Sequence, residues 1–245
     1  MKKLIVFLIL SAWVSAGIAQ TENQETPGVG PINVIKFLPF NLSFNSVSFE
    51  YEGMVSDHSS MTLQVGIPNN KSFDTNYNIK FLSNMTNAQL GTTIVRLAYR
   101  HYAGNQKLVP QGFYFEPYLK YQNLKGNGYY VGHDAPYQTY IGVTDVKLNT
   151  YNFGLQLGAQ FLIGNRLSVD VYFLGLEAGL ASGDMSVLSR NAPKIAADIN
   201  DAIADLPSYM KNTITVTESP NRVDVKARNT PYPWYRAGIS IGIAF

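Results

Sequence analysis

The chain has 245 residues, a formal net charge of +2 at pH 7 and 13% aromatic residues. It contains no cysteine, which excludes disulfides, thiol catalysis and thiolate metal sites. The small positive excess equals the charge of Lys2 and Lys3, so the rest of the chain is neutral and gives no electrostatic basis for binding nucleic acid. No apolar run after residue 20 approaches the ~20 residues of a membrane-spanning helix. Such a chain could cross a membrane only as a closed barrel of strands.

The first residues have the pattern of a targeting segment. A basic start is followed by an apolar run over residues 4–14 and then by small residues. This order predicts a secretory signal peptide over residues 1–19 and a polar periplasmic leader over residues 20–31. The alternative is a membrane-anchoring helix, which would need a longer apolar run.

Segments of strand length follow, in which polar and apolar residues alternate. In residues 46–55, Glu50 and Glu52 fall on one face while Phe49 and Tyr51 fall on the other. Eight such segments are predicted to be strands, at residues 33–40, 46–55, 60–67, 91–102, 113–122, 151–163, 167–180 and 234–245. The pattern predicts an all-β fold, an antiparallel up-and-down transmembrane β-barrel of eight strands.

The connections between these strands differ in length, and the barrel domain is predicted to comprise residues 32–245. Shorter turns are predicted at residues 56–59, 104–111 and 165–166, and long loops at residues 68–90, 126–147 and 181–231. With an even number of strands, the short turns share one side, which should be periplasmic, and the long loops share the extracellular side. A further hairpin over residues 213–227 would give ten strands. Its arms are shorter than the ~9–11 residues of a spanning strand, so we predict an extracellular hairpin instead.

Charged residues on the polar faces form the largest candidate site. Projected into the barrel, the following residues would share a narrow interior: Glu50, Glu52, Arg96, Arg100, Glu116, Lys120, Asp170 and Arg236. Such charges must be paired in a dry interior. The network could conduct protons or ions, or it could be a structural plug that keeps the barrel shut. By strict alternation Glu177 would face lipid, so either a bulge near Gly175 turns it inward or it lies above the hydrocarbon.

One segment has the pattern of a helix and lies in the longest loop. Residues 193–210 place Ile195, Ile199 and Ile203 on one face. Asn191 could cap its start, and Pro207 should end or kink it. The helix could cap the barrel mouth, pack on its own barrel rim or dock an extracellular partner.

The histidines are candidates for catalysis, since hydrolysis and acyl transfer commonly use histidine beside serine and an acid. His133, followed by Asp134, is the histidine predicted to lie on an extracellular loop. No serine is assigned to it, and the three histidines are too scattered in the sequence for a metal site. We therefore predict no catalytic residues, no metal and no cofactor.

The last ten residues, 236–245, alternate strictly and end on an aromatic residue. The odd positions from Ala237 to Phe245 are apolar, whereas glycines, Arg236 and Ser240 occupy the others. In this strand the chain resembles the small single-domain outer-membrane β-barrel proteins of Gram-negative bacteria, whose last strand ends in phenylalanine.

The resemblance implies a location in the outer membrane, contact with its lipids and recognition of Phe245 by the barrel-assembly machinery. It also implies a non-enzymatic protein with a structural or surface-interaction role, whose partner would bind the 181–231 loop. Two alternatives remain: a narrow channel for ions or small solutes, and an enzyme that modifies lipid A.

Overall fold

A computed structural model of the chain describes residues 32–69, 72–73, 85–104, 109–134 and 138–245. The predicted signal peptide and leader, which together cover residues 1–31, lie outside these ranges. Within the described ranges, no helix has both the length and the apolar composition needed to cross a membrane.

The described residues form one antiparallel sheet. Its strands are β1 (Asn33–Phe37), β2 (Ser46–Ser56), β3 (Ser59–Pro68), β4 (Ser72–Phe73), β5 (Met85–Ala103), β6 (Gly112–Asp134), β7 (Gln138–Ile163), β8 (Leu167–Leu188), β9 (Ile214–Ser219), β10 (Arg222–Pro231) and β11 (Trp234–Ala244). Strands β1, β2, β3, β5, β6, β7, β8 and β11 close into a ring, because β11 pairs with both β1 and β8. The predicted all-β antiparallel fold and the eight strands of the ring are confirmed, and the membrane span remains a prediction.

The ring closes at a seam between its first and last strands. The Phe245 backbone N–H donates to the Asn33 carbonyl at 2.9 Å, and the Asn33 N–H donates back at 3.1 Å. The Phe245 side chain points outward and is 59% exposed. The seam therefore depends on the last residue of the chain as well as on β11.

Strands β5 to β8 continue well past the ring. Strands β6 and β7 remain paired as far as Asp134 and Gln138, and β8 continues to Leu188, where β10 pairs with it. The predicted long loop over residues 126–147 is therefore wrong. We call this continuation, residues 85–91, 123–134, 138–149 and 181–188 together with β9 and β10, the extension sheet. Because β9 and β10 lie in it, the predicted extra hairpin is not part of the ring.

The two faces of the sheet exchange polarity where the ring gives way to the extension sheet. Tyr121, Tyr151 and Leu180 are register partners on β6, β7 and β8, and are the last of a series of apolar residues on the outer face. The next outward residues on these strands are Asn123, Asn149 and Ser182. On the inner face the charged residues of the ring give way to an apolar cluster with Tyr130, Tyr140, Met185 and Val187. The level of this exchange, here called the inversion level, is the same in three neighbouring strands.

A bulge in β8 settles the orientation of Glu177. Leu157 pairs with Leu174 but Gly158 pairs with Tyr172, so one residue of β8 has no partner. The alternation shifts by one position there, and Glu177 faces inward with 4% of its surface exposed. The unpaired residue is Phe173, two positions before Gly175, so of the two alternatives for Glu177 the structure has the inward-turning bulge near Gly175.

Three short helices accompany the sheet in the described ranges. They are a 3₁₀ helix (Pro39–Phe44), α1 (Ala192–Ala204) and α2 (Ser208–Lys211). The helix predicted over residues 193–210 is present but is not continuous: α1 ends at Ala204, and Pro207, the residue predicted to end or kink the helix, separates α1 from α2. Asn191 precedes α1, but its side chain makes no capping hydrogen bond.

Helix α1 packs on the inner face of the extension sheet. Ile195 and Ile199 are buried in the apolar cluster there, and Ile203 packs against it. On the same side of the helix, Asp198 accepts hydrogen bonds from the hydroxyls of Tyr130 and Tyr140. The extension sheet thus has an apolar core of its own, separate in character from the polar interior of the ring.

Candidate functional site

The interior of the ring holds a network of buried charges. Its members are Lys36, Glu50, Glu52, Arg96, Arg100, Glu116 and Asp170, none of them more than 2% exposed. They come from β1, β2, β5, β6 and β8, and they face inward because alternate residues of a strand point to the same side. We call this cluster the central network.

Arg96 joins β2 and β6 through the central network. Its guanidinium forms ion pairs with Glu50 and with Glu116. Its Nε donates to Oε1 of Gln64 at 3.0 Å, and its central carbon lies 5.2 Å from the centre of the Tyr118 ring. The planar guanidinium of arginine has five N–H donors that point in different directions and can therefore contact all these partners at once. The single ammonium group of a lysine could not make the same set of contacts.

Arg100 lies two inward positions further along β5 and connects β6 with β8. Its Nε is 2.5 Å from Oε2 of Glu116, and its Nη1 is 3.0 Å from Oδ2 of Asp170. The same Nη1 donates to Oε1 of Gln160 at 2.6 Å. The guanidinium also stacks on Tyr114, with 3.8 Å between its central carbon and the ring centre.

Lys36 completes the central network, and the sequence analysis did not include it. Its Nζ lies 2.6 Å from Oε2 of Glu52, 3.0 Å from Oδ2 of Asp170 and 3.4 Å from Oε1 of Glu50. The signal that could have found it is its position on β1, opposite Glu50 across the first strand pair. Lys36 ties the short first strand to β2 and β8.

A second set of charges, the outer group, consists of Lys120, Glu177 and Arg236. Lys120 forms an ion pair with Glu177, which also accepts a hydrogen bond from the Tyr118 hydroxyl at 2.9 Å. The guanidinium of Arg236 stacks on Tyr172, with its central carbon 4.6 Å from the ring centre. The polar interior therefore extends beyond the central network.

The structure brings six of the eight predicted interior residues into the central network and places Lys120 and Arg236 in the outer group. With Lys36 and Glu177 included, the two groups contain five cations and five carboxylates. The interior is therefore neutral, as burial of so many charges requires. The charges pair mainly with one another, an arrangement suited to holding strands together.

Tyrosine rings fill the space that glycines leave between facing strands. Four glycines lie against the ring or hydroxyl of a tyrosine that is their direct register partner: Gly132 with Tyr140, Gly154 with Tyr118, Gly158 with Tyr114 and Gly238 with Tyr172. A β-carbon at any of these glycines would overlap the partner's ring or hydroxyl. The rings cover the bare backbone of their partners, a known way of stabilising glycine in sheets.

A small cavity of about 290 Å³ adjoins the outer group. Its walls include Phe40, Phe44, Lys120, Glu177, Trp234 and Arg236. The rings of Tyr232 and Trp234 stack at 5.6 Å between their centres. The cavity therefore combines aromatic walls with the charges of the outer group.

The histidines that the structure places do not form a catalytic triad. The Ser59 hydroxyl lies 3.1 Å from Nδ1 of His101 and accepts a hydrogen bond from the Tyr99 hydroxyl at 2.7 Å. Among the described residues no carboxylate is hydrogen-bonded to His101, as the acid of such a triad would be. His133 belongs to β6, but its side chain lies outside the described part of the structure. The described residues contain no group of three or more His, Asp or Glu side chains that could hold a metal ion.

The outer face of the extension sheet carries a larger concave region, with a volume of about 750 Å³. We call it the charged groove, and its lining includes Lys125, Lys147, Asp184, Arg222, Asp224 and Lys226. Arg222 and Asp224 form an ion pair at 2.7 Å, and hydrogen bonds from this guanidinium lower the pKa of the Asp224 carboxyl. Asp184 pairs with Arg228 at 3.0 Å.

No protein-family model, curated protein or solved structure matches this chain. Its function is therefore to be inferred from the geometry of three features. These are the neutral interior of the ring, the inversion level and the extension sheet with its charged groove.

Proposed function

We propose that this protein is an outer-membrane β-barrel with a closed, ion-paired interior and a structural or surface-interaction role. The observation that carries the proposal is the inversion level. Below it, the outer face exposes large apolar side chains, among them Leu176 at 58% and Ile243 at 66%. Directly above it, the inner face is apolar, and the outer face of β6, β7 and β8 is polar over residues 123–127, 145–149 and 182–186. Exposed apolar residues such as Ile141 and Val143 return only towards the far end of the extension sheet. A sheet that passes from hydrocarbon into water requires this exchange, whereas a sheet surrounded by water does not.

The height of the apolar outer face fits a bilayer. On β7 it extends from Tyr151 to Ile163. At about 3.3 Å per residue and a strand tilt of about 40°, this length spans roughly 30 Å, close to the thickness of a hydrocarbon core. Tyr121 and Tyr151 pack against each other at the inversion level, with 5.1 Å between their ring centres and 38° between their ring planes. Tyrosines are typical of the boundary between hydrocarbon and water.

The contents of the ring favour a structural role over a narrow channel. The central network connects five strands, and its arginines and lysine each bind more than one carboxylate. A conducting interior would need a continuous row of water between these groups. The proposal therefore expects no steady conductance from the protein in a planar bilayer.

The extension sheet is the proposed interaction surface. It has its own apolar core with α1, so it can keep its shape outside the membrane. Together with α1 and α2 it includes most of the 181–231 segment, and it lies at the end of the ring opposite the turns at residues 57–58 and 164–166. On this proposal the short turns are periplasmic and a partner of the protein binds outside the cell.

Epitope labelling on cells tests the proposal. An epitope inserted at Pro220, in the turn between β9 and β10, should be labelled by antibody on intact cells. The matched insertion at Asp57, in the turn between β2 and β3, should be labelled only after the outer membrane is permeabilised. Both variants should be found in the outer-membrane fraction. The opposite labelling pattern would contradict the proposed orientation, and recovery in the soluble fraction would contradict the membrane location.

A second prediction concerns the assembly of the barrel. Deleting Phe245 removes the two backbone hydrogen bonds between Phe245 and Asn33 at the end of the seam, together with an outward aromatic side chain. We expect several-fold less folded protein in the outer membrane, measured as the band that changes mobility on heating. Phe113→Ala is the control, because it removes another outward aromatic ring and leaves the seam intact. An unchanged yield after the deletion would contradict the proposed role of Phe245 as an assembly signal.

A further inference from the structure

We propose that Lys125 and Lys147 in the charged groove bind a phosphate group of an outer-leaflet lipid headgroup. The inference rests on the proposed membrane location of the ring and adds a ligand that the location alone does not specify. It depends on the pairing of the two lysines, on the salt bridges around them and on their height above the inversion level.

The two lysines form an unfavourable pair that an anion would stabilise. Lys125 on β6 and Lys147 on β7 are direct register partners, and both side chains are exposed on the outer face. Like charges directly opposite one another destabilise a sheet. Within the described part of the chain, neither ammonium group forms an ion pair or a hydrogen bond. A phosphate between them would accept charge-assisted hydrogen bonds from both.

Two of the three carboxylates that line the groove are paired with other residues. The third, Asp145, acts electrostatically on Arg222, whose pKa is raised by its hydrogen bonds to Asp224 and further by Asp145. Asp184 is the register partner of Lys147 on β8, but its carboxylate binds Arg228 at 3.0 Å. Asp224 on β10 binds Arg222 in the same way. The groove has a third lysine, Lys226 on β10, which is the register partner of Asp184 on the side of β8 that faces away from β7. The lining of the groove has four basic and three acidic side chains and therefore keeps a positive excess.

The height of the lysines matches the headgroup layer. Lys125 is two outward positions beyond Tyr121, the residue of β6 at the inversion level. At about 3.3 Å per residue and a tilt of about 40°, this places its backbone roughly 10 Å above the apolar face. The polar layer of a bilayer is about 5–8 Å thick on each side. A lysine side chain can reach back toward the membrane over that distance.

Lipid binding by the detergent-solubilised full chain tests the inference. The probes are lipid A bearing its phosphates and the same lipid after removal of the phosphates, both titrated in dodecyl maltoside, a detergent without phosphate. We expect the parent to prefer the phosphorylated lipid and the double variant Lys125→Gln/Lys147→Gln to bind it at least about tenfold more weakly, because glutamine can still donate a hydrogen bond to phosphate but carries no charge. Lys211→Gln, on α2, should bind as the parent does. Lys125→Arg/Lys147→Arg should retain most of the affinity.

The outcomes separate this inference from the proposed function. Insertion into phosphatidylcholine vesicles, measured as resistance to carbonate extraction, tests the membrane location alone. If the double variant inserts and binds phosphorylated lipid A as tightly as the parent, the phosphate site is wrong while the barrel stands. If the parent does not insert, both proposals fail. If inorganic phosphate in excess displaces the lipid completely, the groove recognises free phosphate, and the assignment to a lipid is overturned.

Discussion

Replacing Arg96 with alanine is expected to lower the free energy of unfolding by about 3–5 kcal/mol, the usual cost of removing one member of a buried ion pair. The reason is that Glu50 and Glu116 lose a shared partner in an interior that is almost entirely shielded from solvent. Unfolding in urea, followed by the circular dichroism of the sheet in dodecyl maltoside, measures the change.

Two further variants distinguish lost ion pairs from lost volume. Leu97→Ala alters the neighbouring residue, whose side chain faces outward and is 47% exposed, and it should cost clearly less than Arg96→Ala. Combining Arg96→Met with Glu50→Gln and Glu116→Gln should recover much of the stability, because no buried charge is left without its partner. If Arg96→Ala is as stable as the parent, the packed interior is wrong.

The residues of the central network were predictable where the alternation of a strand is regular. Glu50 and Glu52 alternate with Phe49 and Tyr51 over the whole of β2, so a single register places both carboxylates inside. The positions of Arg96, Arg100 and Glu116 follow in the same way on β5 and β6. The partners of each charge could not be predicted, because they depend on the offset between strands that are distant in the sequence.

The sequence of β1 alone does not show that Lys36 faces the interior. Strand β1 has only five residues before the 3₁₀ helix that begins at Pro39, too few for a clear period of two. Glu177 remained open because the bulge in β8 reverses the parity of every residue after it. In both cases pairing with the next strand supplies the information that the strand's own sequence lacks.

The strands predicted for β6, β7 and β8 are too short, because each has one end at the level where the polar and apolar faces of the sheet exchange. A period-two pattern with apolar residues outside stops at Tyr121, Tyr151 and Leu180, close to the limits predicted for these strands. Beyond this level the alternation continues with its phase reversed, and the glycines and tyrosines of the segment resemble a loop. The prediction thus located the inversion level correctly but interpreted it as the end of the sheet.

Replacing Gly154 with valine is expected to destabilise the ring by about 1–3 kcal/mol or more, the range for overpacking a filled interior. A β-carbon at Gly154 would lie 2.5 Å from the hydroxyl oxygen of Tyr118 and overlap its ring. The ring cannot move away freely, because its hydroxyl donates to Glu177 at 2.9 Å and Arg96 stacks on its face. Displacing Tyr118 would therefore disturb the central network and the outer group together.

A double-mutant cycle in urea provides the measurement for Gly154. Tyr118→Ala removes the ring, so Gly154→Val should cost less in that background, with a coupling of at least about 1 kcal/mol between the two positions. Ala178→Val is the control for added bulk, because this neighbour on β8 faces outward and is exposed. Additive costs in the cycle would mean that Tyr118 does not occupy the space over Gly154. A loss of stability in Ala178→Val as large as in Gly154→Val would mean that the outer face, not the interior, is the packed side of the ring.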